Sequence, residues 1–138
     1  MSQQLENNEH KIPLQKNTEE IVKQFINFYY NCLNEKNFKE LVKLYKQYTE
    51  INFEGIRYRG EELQKLFESL NQNNLIFSLN SIDYLMSGNH RINILITGTV
   101  KKDDTVKIFS EYLHFGTCKD KKTNEYGYWI QSSILRTI

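Results

Sequence analysis

The hydrophobic period runs helical in the first part of the chain and alternating in the second, with one short extended piece before the last helix, and that division limits the fold more than any other feature. In "NTEEIVKQFINFYYNCLNEKN", Val22, Phe25, Ile26, Tyr29, Tyr30 and Leu33 recur at three- and four-residue steps, the spacing that gathers side chains on one stripe of an α-helix. Asn17 followed by Glu20 has the form of a capping box. "NFKELVKLYKQY" repeats the pattern with Asn37, Glu40 and the apolar Phe38, Leu41, Val42 and Tyr45, which predicts a second helix antiparallel to the first. From "YTEINFEGIRYRG" the period becomes two, as for a short strand, a turn and another extended piece. Gly60 then opens a third helix, "EELQKLFESL", carrying Leu63, Leu66, Phe67 and Leu70.

Long strands follow the polar break "NQNN". "LIFSLNSIDYLM" and "HRINILITGTVKK" flank "SGN", a hairpin signal, and Ile92, Ile94, Ile96, Gly98 and Val100 share one face of the second. "TVKIFSEYLHFGT" and "YGYWIQSSILRTI" flank the charged loop "CKDKKTNE". Helices first and strands afterwards predict an α+β domain, with three helices on one face of a strongly curved, mainly antiparallel sheet. A chain of 138 residues with 39% hydrophobic content is sized for one such core. Residues 1–17, polar and without a sustained period, are expected to be a disordered tail, leaving 18–138 as the domain. The last strands carry apolar groups on both faces: Phe109, Leu113 and Phe115 against Ile108 and Tyr112, then Trp129 and Leu135 against Tyr126, Tyr128, Ile130 and Ile134. Either the sheet curls round its own core or its second face meets another protein.

Charge and motif content narrow the chemistry. A formal charge of +1 creates no field that would draw the chain to nucleic acid, and no apolar run approaches the roughly 20 residues of a membrane span, so neither partner is expected. Cys32 and Cys118 lie far apart, with no leader pattern and no disulfide framework, which points to a reducing compartment. Cys32 sits on the apolar side of its helix as a small hydrophobe. His10, His90 and His114 lack metal-ligand spacing, and "GTVKK" lacks the rest of a phosphate loop, so no metal, no cofactor and no catalytic residue is assigned. The acid-base candidates are Asp83, Glu111, His114, Tyr84 and Tyr112, all on the sheet. A desolvated carboxylate beside a tyrosine or histidine would make a base; the same residues equally serve as interface charges and buried rings.

Three stretches resemble the nuclear transport factor 2 family. "QFINFYYNCLNEKNFKELVKLY" is similar to its opening helix pair, "INFEGIRYRGEELQKLF" to its aromatic-acid-glycine turn leading into the third helix, and "ITGTVKKDD" with "YWIQSSILR" to its last strands. The resemblance, from about Thr18 to the C-terminus, implies a cone-shaped roll with Gly55 and Gly60 shaping a turn at the mouth of its pocket. It implies a nucleocytoplasmic transport factor, not an enzyme, working in the nucleus, nuclear pore and cytoplasm. In the importing branch, a homodimer, Glu54, Asp103 and Phe53 fall where Ran-GDP is contacted. "KKDDT" is one residue shorter than the importer's loop and lacks its second spaced acid, and Asp83-Tyr84-Leu85-Met86 stands where that family has Asp-x-Gln-Pro. These departures favour the sister branch, the small subunit that dimerises with the large mRNA export receptor, a chain of the same fold. There Asp83 and Arg136 would form ion pairs across the sheet interface, with Phe109, Leu113 and Trp129 as further partner contacts, and phenylalanine-glycine nucleoporins would be partners at the pore. A small isomerase or dehydratase using the cone pocket is the reading from a different class, because the same fold hosts both.

Overall fold

The computed structural model describes residues 2–88, 90–119, 122 and 126–138, and the side chains of 18–88, 90–117, 122 and 127–138. Helix α1 spans Ser2–Glu35, α2 Phe38–Leu41 and α3 Leu63–Gln72. The strands are β1 Tyr45–Phe53, β2 Ile56–Arg59, β3 Leu75–Met86, β4 Arg91–Lys102, β5 Thr105–Lys119 and β6 Tyr126–Thr137. They form a six-stranded sheet in the order β2-β1-β6-β5-β4-β3. Every pairing is antiparallel except β1 with β6. The loop at residues 120–125, Lys122 apart, lies outside the described residues, as do the side chains of His10 and Cys118.

Two helical expectations change. Helical backbone begins at Ser2, so Asn17 lies within the helix and not at its start. The second helix ends at Leu41, continues as a 3-10 turn over Val42–Leu44, and gives way to strand at Tyr45. Asn37 makes no side-chain cap bond. Pairing of β1 with both β2 and β6 satisfies the backbone from Tyr45 onward, and that tertiary gain overrides a local helical pattern.

Strand parity then decides what is core. On the inner, helix-covered face lie Ile92, Ile94, Ile96 and Val100 of β4 and Phe109, Leu113 and Phe115 of β5, all buried. Helix α1 contributes Val22, Phe25, Ile26, Tyr29, Tyr30 and Leu33. Its Phe25 ring stacks on Phe115 with centroids 4.3 Å apart, and Phe77 meets Phe109 edge-on at 5.2 Å.

Phe109 and Leu113, expected at a partner interface, are fully buried within the chain; they belong to its core. Trp129 and Leu135, grouped by simple alternation, lie on opposite faces. His114 pairs with Ser132 and Phe115 with Ile130, so Gln131 is an extra residue on β6. A bulge of one residue reverses the parity on either side of it. Ile130 and Leu135 therefore both face inward and Trp129 outward.

Candidate functional site

Among the described residues, none covers the outer face of the sheet. Register places Asp83 beside Leu95, Leu95 beside Tyr112, and Tyr112 beside Ile134, across β3, β4, β5 and β6. Leu95, Tyr112 and Ile134 are 45%, 45% and 49% exposed, and nearby Leu85 is 75% exposed. A depression beside this row is lined by Asp83, Leu85, Asn93, Leu95 and Tyr112, together with Ile82 and Tyr84. Asp83 is exposed at one end of the row. Arg136, two residues past Ile134 on the same face, is exposed at the other end, with its guanidinium over Gly55. Three strand spacings and a two-residue offset, roughly 16 Å between their backbones, separate Asp83 from Arg136, and among the described residues neither has an ion-pair partner. Trp129 occupies the far end of this face: its ring covers Gly116, where a Cβ would collide with it, and the Arg91 guanidinium stacks over the ring at 5.4 Å.

Of the acid-base candidates, Glu111 is on the inner face and 1% exposed. Tyr29 donates to its Oε2 at 2.8 Å and Tyr30 to its Oε1 at 2.5 Å. Burial pushes the carboxyl up to about 7, against the opposing effect of the Tyr30, Tyr29 and Ser133 hydroxyls, which favour the charged form. Burial and the Glu111 charge together raise both phenols well above their ordinary value. Asp83, Tyr112 and His114 point to the outer face, and burial and Arg91 lower the His114 imidazole. The five candidates are thus divided between two faces of one sheet. Tyr84 is inward and half-buried against the core.

A cavity of about 500 Å³ opens at the end of the inner face, floored by Phe53, Leu75, Phe77, Val100 and Leu135 and rimmed by Glu54, Lys102, Asp103 and Lys107 among others. It brings Phe53, Glu54 and Asp103 together at one opening. Glu54 sits in the β1-β2 turn with φ 55, and the following Gly55 has φ 88, a conformation in which a side chain is strained. The Glu54 carboxylate accepts from Thr137 N at 2.5 Å and Thr137 Oγ1 at 2.7 Å, and its own N–H donates to the Leu135 carbonyl at 2.9 Å. Glu54 thereby fastens the turn to the end of β6.

The sequence matches the nuclear transport factor 2 (NTF2) domain over residues 21–137. The chain belongs to that family. Similar solved structures agree on the fold. Nuclear transport factor 2 of Cryptosporidium parvum is 23% identical, with TM-score 0.69 over 88% of this chain and 95% of that one. The yeast UBP3-associated protein BRE5 is 20% identical, with TM-score 0.71 over 88% and 96%. A putative scytalone dehydratase from Novosphingobium aromaticivorans is 13% identical, with TM-score 0.68 over 90% and 87%. No curated protein matches the sequence. Among the described residues of this NTF2-family chain no group of three His, Cys, Asp or Glu side chains gathers as a metal site requires, and no helix is long and apolar enough to cross a membrane.

Leu95 and Lys107 went unmarked in the sequence. Leu95 carries a legible signal, since it interrupts the inward parity of Ile94 and Ile96 with an apolar residue facing out. Lys102 and Lys107 read as ordinary strand-end charges, because only the three-dimensional closure of the sheet turns them towards a cavity.

Proposed function

We propose that this NTF2-family chain is a non-catalytic, protein-binding subunit in nucleocytoplasmic transport, pairing through the outer face of its sheet with a chain of the same fold, the large mRNA export receptor. The observation that carries the reading is the apolar row Leu95, Tyr112 and Ile134 flanked by Asp83 and Arg136. When two such faces pack about a two-fold or pseudo-two-fold axis, each residue of the pair meets the counterpart of the other. An acid at one end and a base at the other then fall opposite complementary charges, with apolar side chains between, the arrangement of a dry centre and a charged rim. Trp129 extends the surface at its far end. In the nucleus and at the pore, phenylalanine-glycine nucleoporins would engage the assembled dimer.

A catalytic role is disfavoured by the separation of the candidate groups. Glu111 is enclosed with both oxygens engaged by phenols, while Asp83, Tyr112 and His114 lie on the opposite face. Titrated isolation of one carboxylate is not a mechanism, because an acid-base pair has to converge on one substrate.

The importer reading, homodimeric binding of Ran-GDP, is favoured by one specific observation: Phe53, Glu54 and Asp103 line the same opening. Against it, the Glu54 carboxylate is already used by Thr137. Binding of the purified chain to Ran-GDP and, separately, to the export receptor's NTF2-like domain decides between them. The proposal expects a one-to-one complex with the export domain and no measurable Ran-GDP binding. Ran-GDP binding that Glu54→Lys abolishes would replace it with the importer.

A further inference from the structure

We infer that the free edge of β3, from Ser81 to Met86, is a docking site for an extended basic segment of another protein, which adds to the sheet as a further antiparallel strand. β3 ends the sheet, and two contacts reveal which of its backbone groups face the edge. Phe77 gives both its N–H and its C=O to the Asn34 amide, so in the first half of the strand the odd-numbered residues face outward from β4. The extra residue at Asn80 reverses that parity. Ser87 N–H donates to the Arg91 carbonyl at 2.8 Å, which turns the odd-numbered residues of the second half towards β4. The N–H and C=O groups of Ile82 and Tyr84 therefore point away from the sheet. Among the described residues nothing bonds them. Helix α1 bonds to the strand at Phe77 through Asn34 and at Met86 through Thr18, and the open groups lie between those points. The segment "SIDYLM" carries neither lysine nor proline, the residues that commonly guard an edge against pairing.

The side chains state what kind of strand fits. Ile82 and Tyr84 turn inward and pack against the core, which holds the edge in an extended shape. Asp83 and Leu85 turn outward, both exposed, Leu85 to 75%. Asp83 is the charged residue of the segment, and among the described residues it has no ion-pair partner. A lysine or arginine directly opposite Asp83, with an apolar residue two positions along opposite Leu85, makes two favourable cross-strand pairs. Main-chain bonds to Ile82 and Tyr84 supply the affinity, and these alternate side chains supply the choice of partner. A second copy of this chain fits poorly. Two such edges meet either with Asp83 opposite Asp83, which sets like charges together, or with Tyr84 opposite Tyr84, which sets each carboxylate against Leu85. The edge is tested on the chain alone, so the result is independent of pairing across the outer face.

An acetylated and amidated heptapeptide of sequence TVTKTVT places lysine opposite Asp83 and valine opposite Leu85. It is titrated into the full chain by heteronuclear NMR beside its charge-reversed counterpart TVTETVT. The expected result is saturable binding that perturbs the Ile82 and Tyr84 amides most and slows their hydrogen exchange, with the lysine peptide about fivefold tighter. In Asp83→Lys, which alters an exposed side chain, the order of the two peptides should reverse. N-methylation of the two threonines beside the lysine removes the donors that meet the Ile82 and Tyr84 carbonyls and should abolish binding. N-methylation of the lysine and one valine, whose N–H groups face away from β3, should not. Absence of saturable binding, perturbations confined to Leu95 and Tyr112, an order of peptides unchanged in Asp83→Lys, or equal loss from the two methylation patterns would each overturn the assignment.

Discussion

The Tyr30 hydroxyl reaches Glu111 across 81 positions of sequence and donates a 2.5 Å hydrogen bond to its Oε1. A helix residue thereby holds the central strand of the sheet through a carboxylate that is wholly enclosed. The arrangement couples stability to pH. The folded carboxyl titrates at about 7 against an ordinary value of 4.5, so between those values the folded state holds a proton that the unfolded chain has released. Its stabilising effect is complete below about pH 4.5 and is lost as pH rises through about 7. The loss is on the order of 3 kcal/mol. Urea denaturation of the wild type and Glu111→Gln across pH 4.5 to 8 should show the variant gaining on the wild type as pH rises. A difference that does not vary with pH would contradict this.

Asn34 makes a second link of the same kind. Its Nδ2 donates to the Phe77 carbonyl at 2.9 Å and its Oδ1 accepts from Phe77 N–H at 2.8 Å, so one side chain pairs with the backbone as a neighbouring strand would. β3 is the end of the sheet, and an uncovered edge is open to pairing with another chain. Asn34→Ala should cost about 1–3 kcal/mol in denaturation, because two backbone groups lose their partner. Light scattering on the variant should also reveal increased self-association.

Gly116 is required by the ring above it. A Cβ there would overlap Trp129, so Gly116→Ala must displace the single tryptophan of the chain, at a cost of about 1–3 kcal/mol for overpacking. The Trp129 fluorescence maximum should move, and the stacking of Arg91 on the ring should be lost. An unchanged emission spectrum would contradict the close approach.

These relationships were unequally legible in the sequence. Periodicity located α1, α3 and the four long strands because burial on one face imposes a repeat that residue type records. It overextended the second helix at Tyr45, where pairing with β6 decides the conformation and local pattern does not. It also put Trp129 with Leu135, since a bulge at Gln131 leaves no mark in apolar alternation. Phe109 and Leu113 show the limit most clearly: two apolar faces were visible in β5, but which of them the helices cover depends on contacts with Phe25 and Tyr30 far away in the chain. Asp83 and Arg136 were legible as charges on a sheet, and Phe53, Glu54 and Asp103 as a turn and loop by resemblance. Their distribution between an outer face and a cavity rim required the register.

The outer face carries the central claim, and its middle residue is Tyr112. Packing two such faces should bury more than about 1,000 Å² in total, and a charge placed at the centre of that surface would be desolvated without a partner. Sedimentation velocity of the chain mixed with the export receptor's NTF2-like domain, wild type against Tyr112→Glu, is the direct measurement. The wild type should form a one-to-one complex, and Tyr112→Glu should leave separate monomers while its own denaturation is little changed, Tyr112 being half-exposed in the isolated fold. Equal complex formation by both chains, or a wild-type monomer in that mixture, would contradict it.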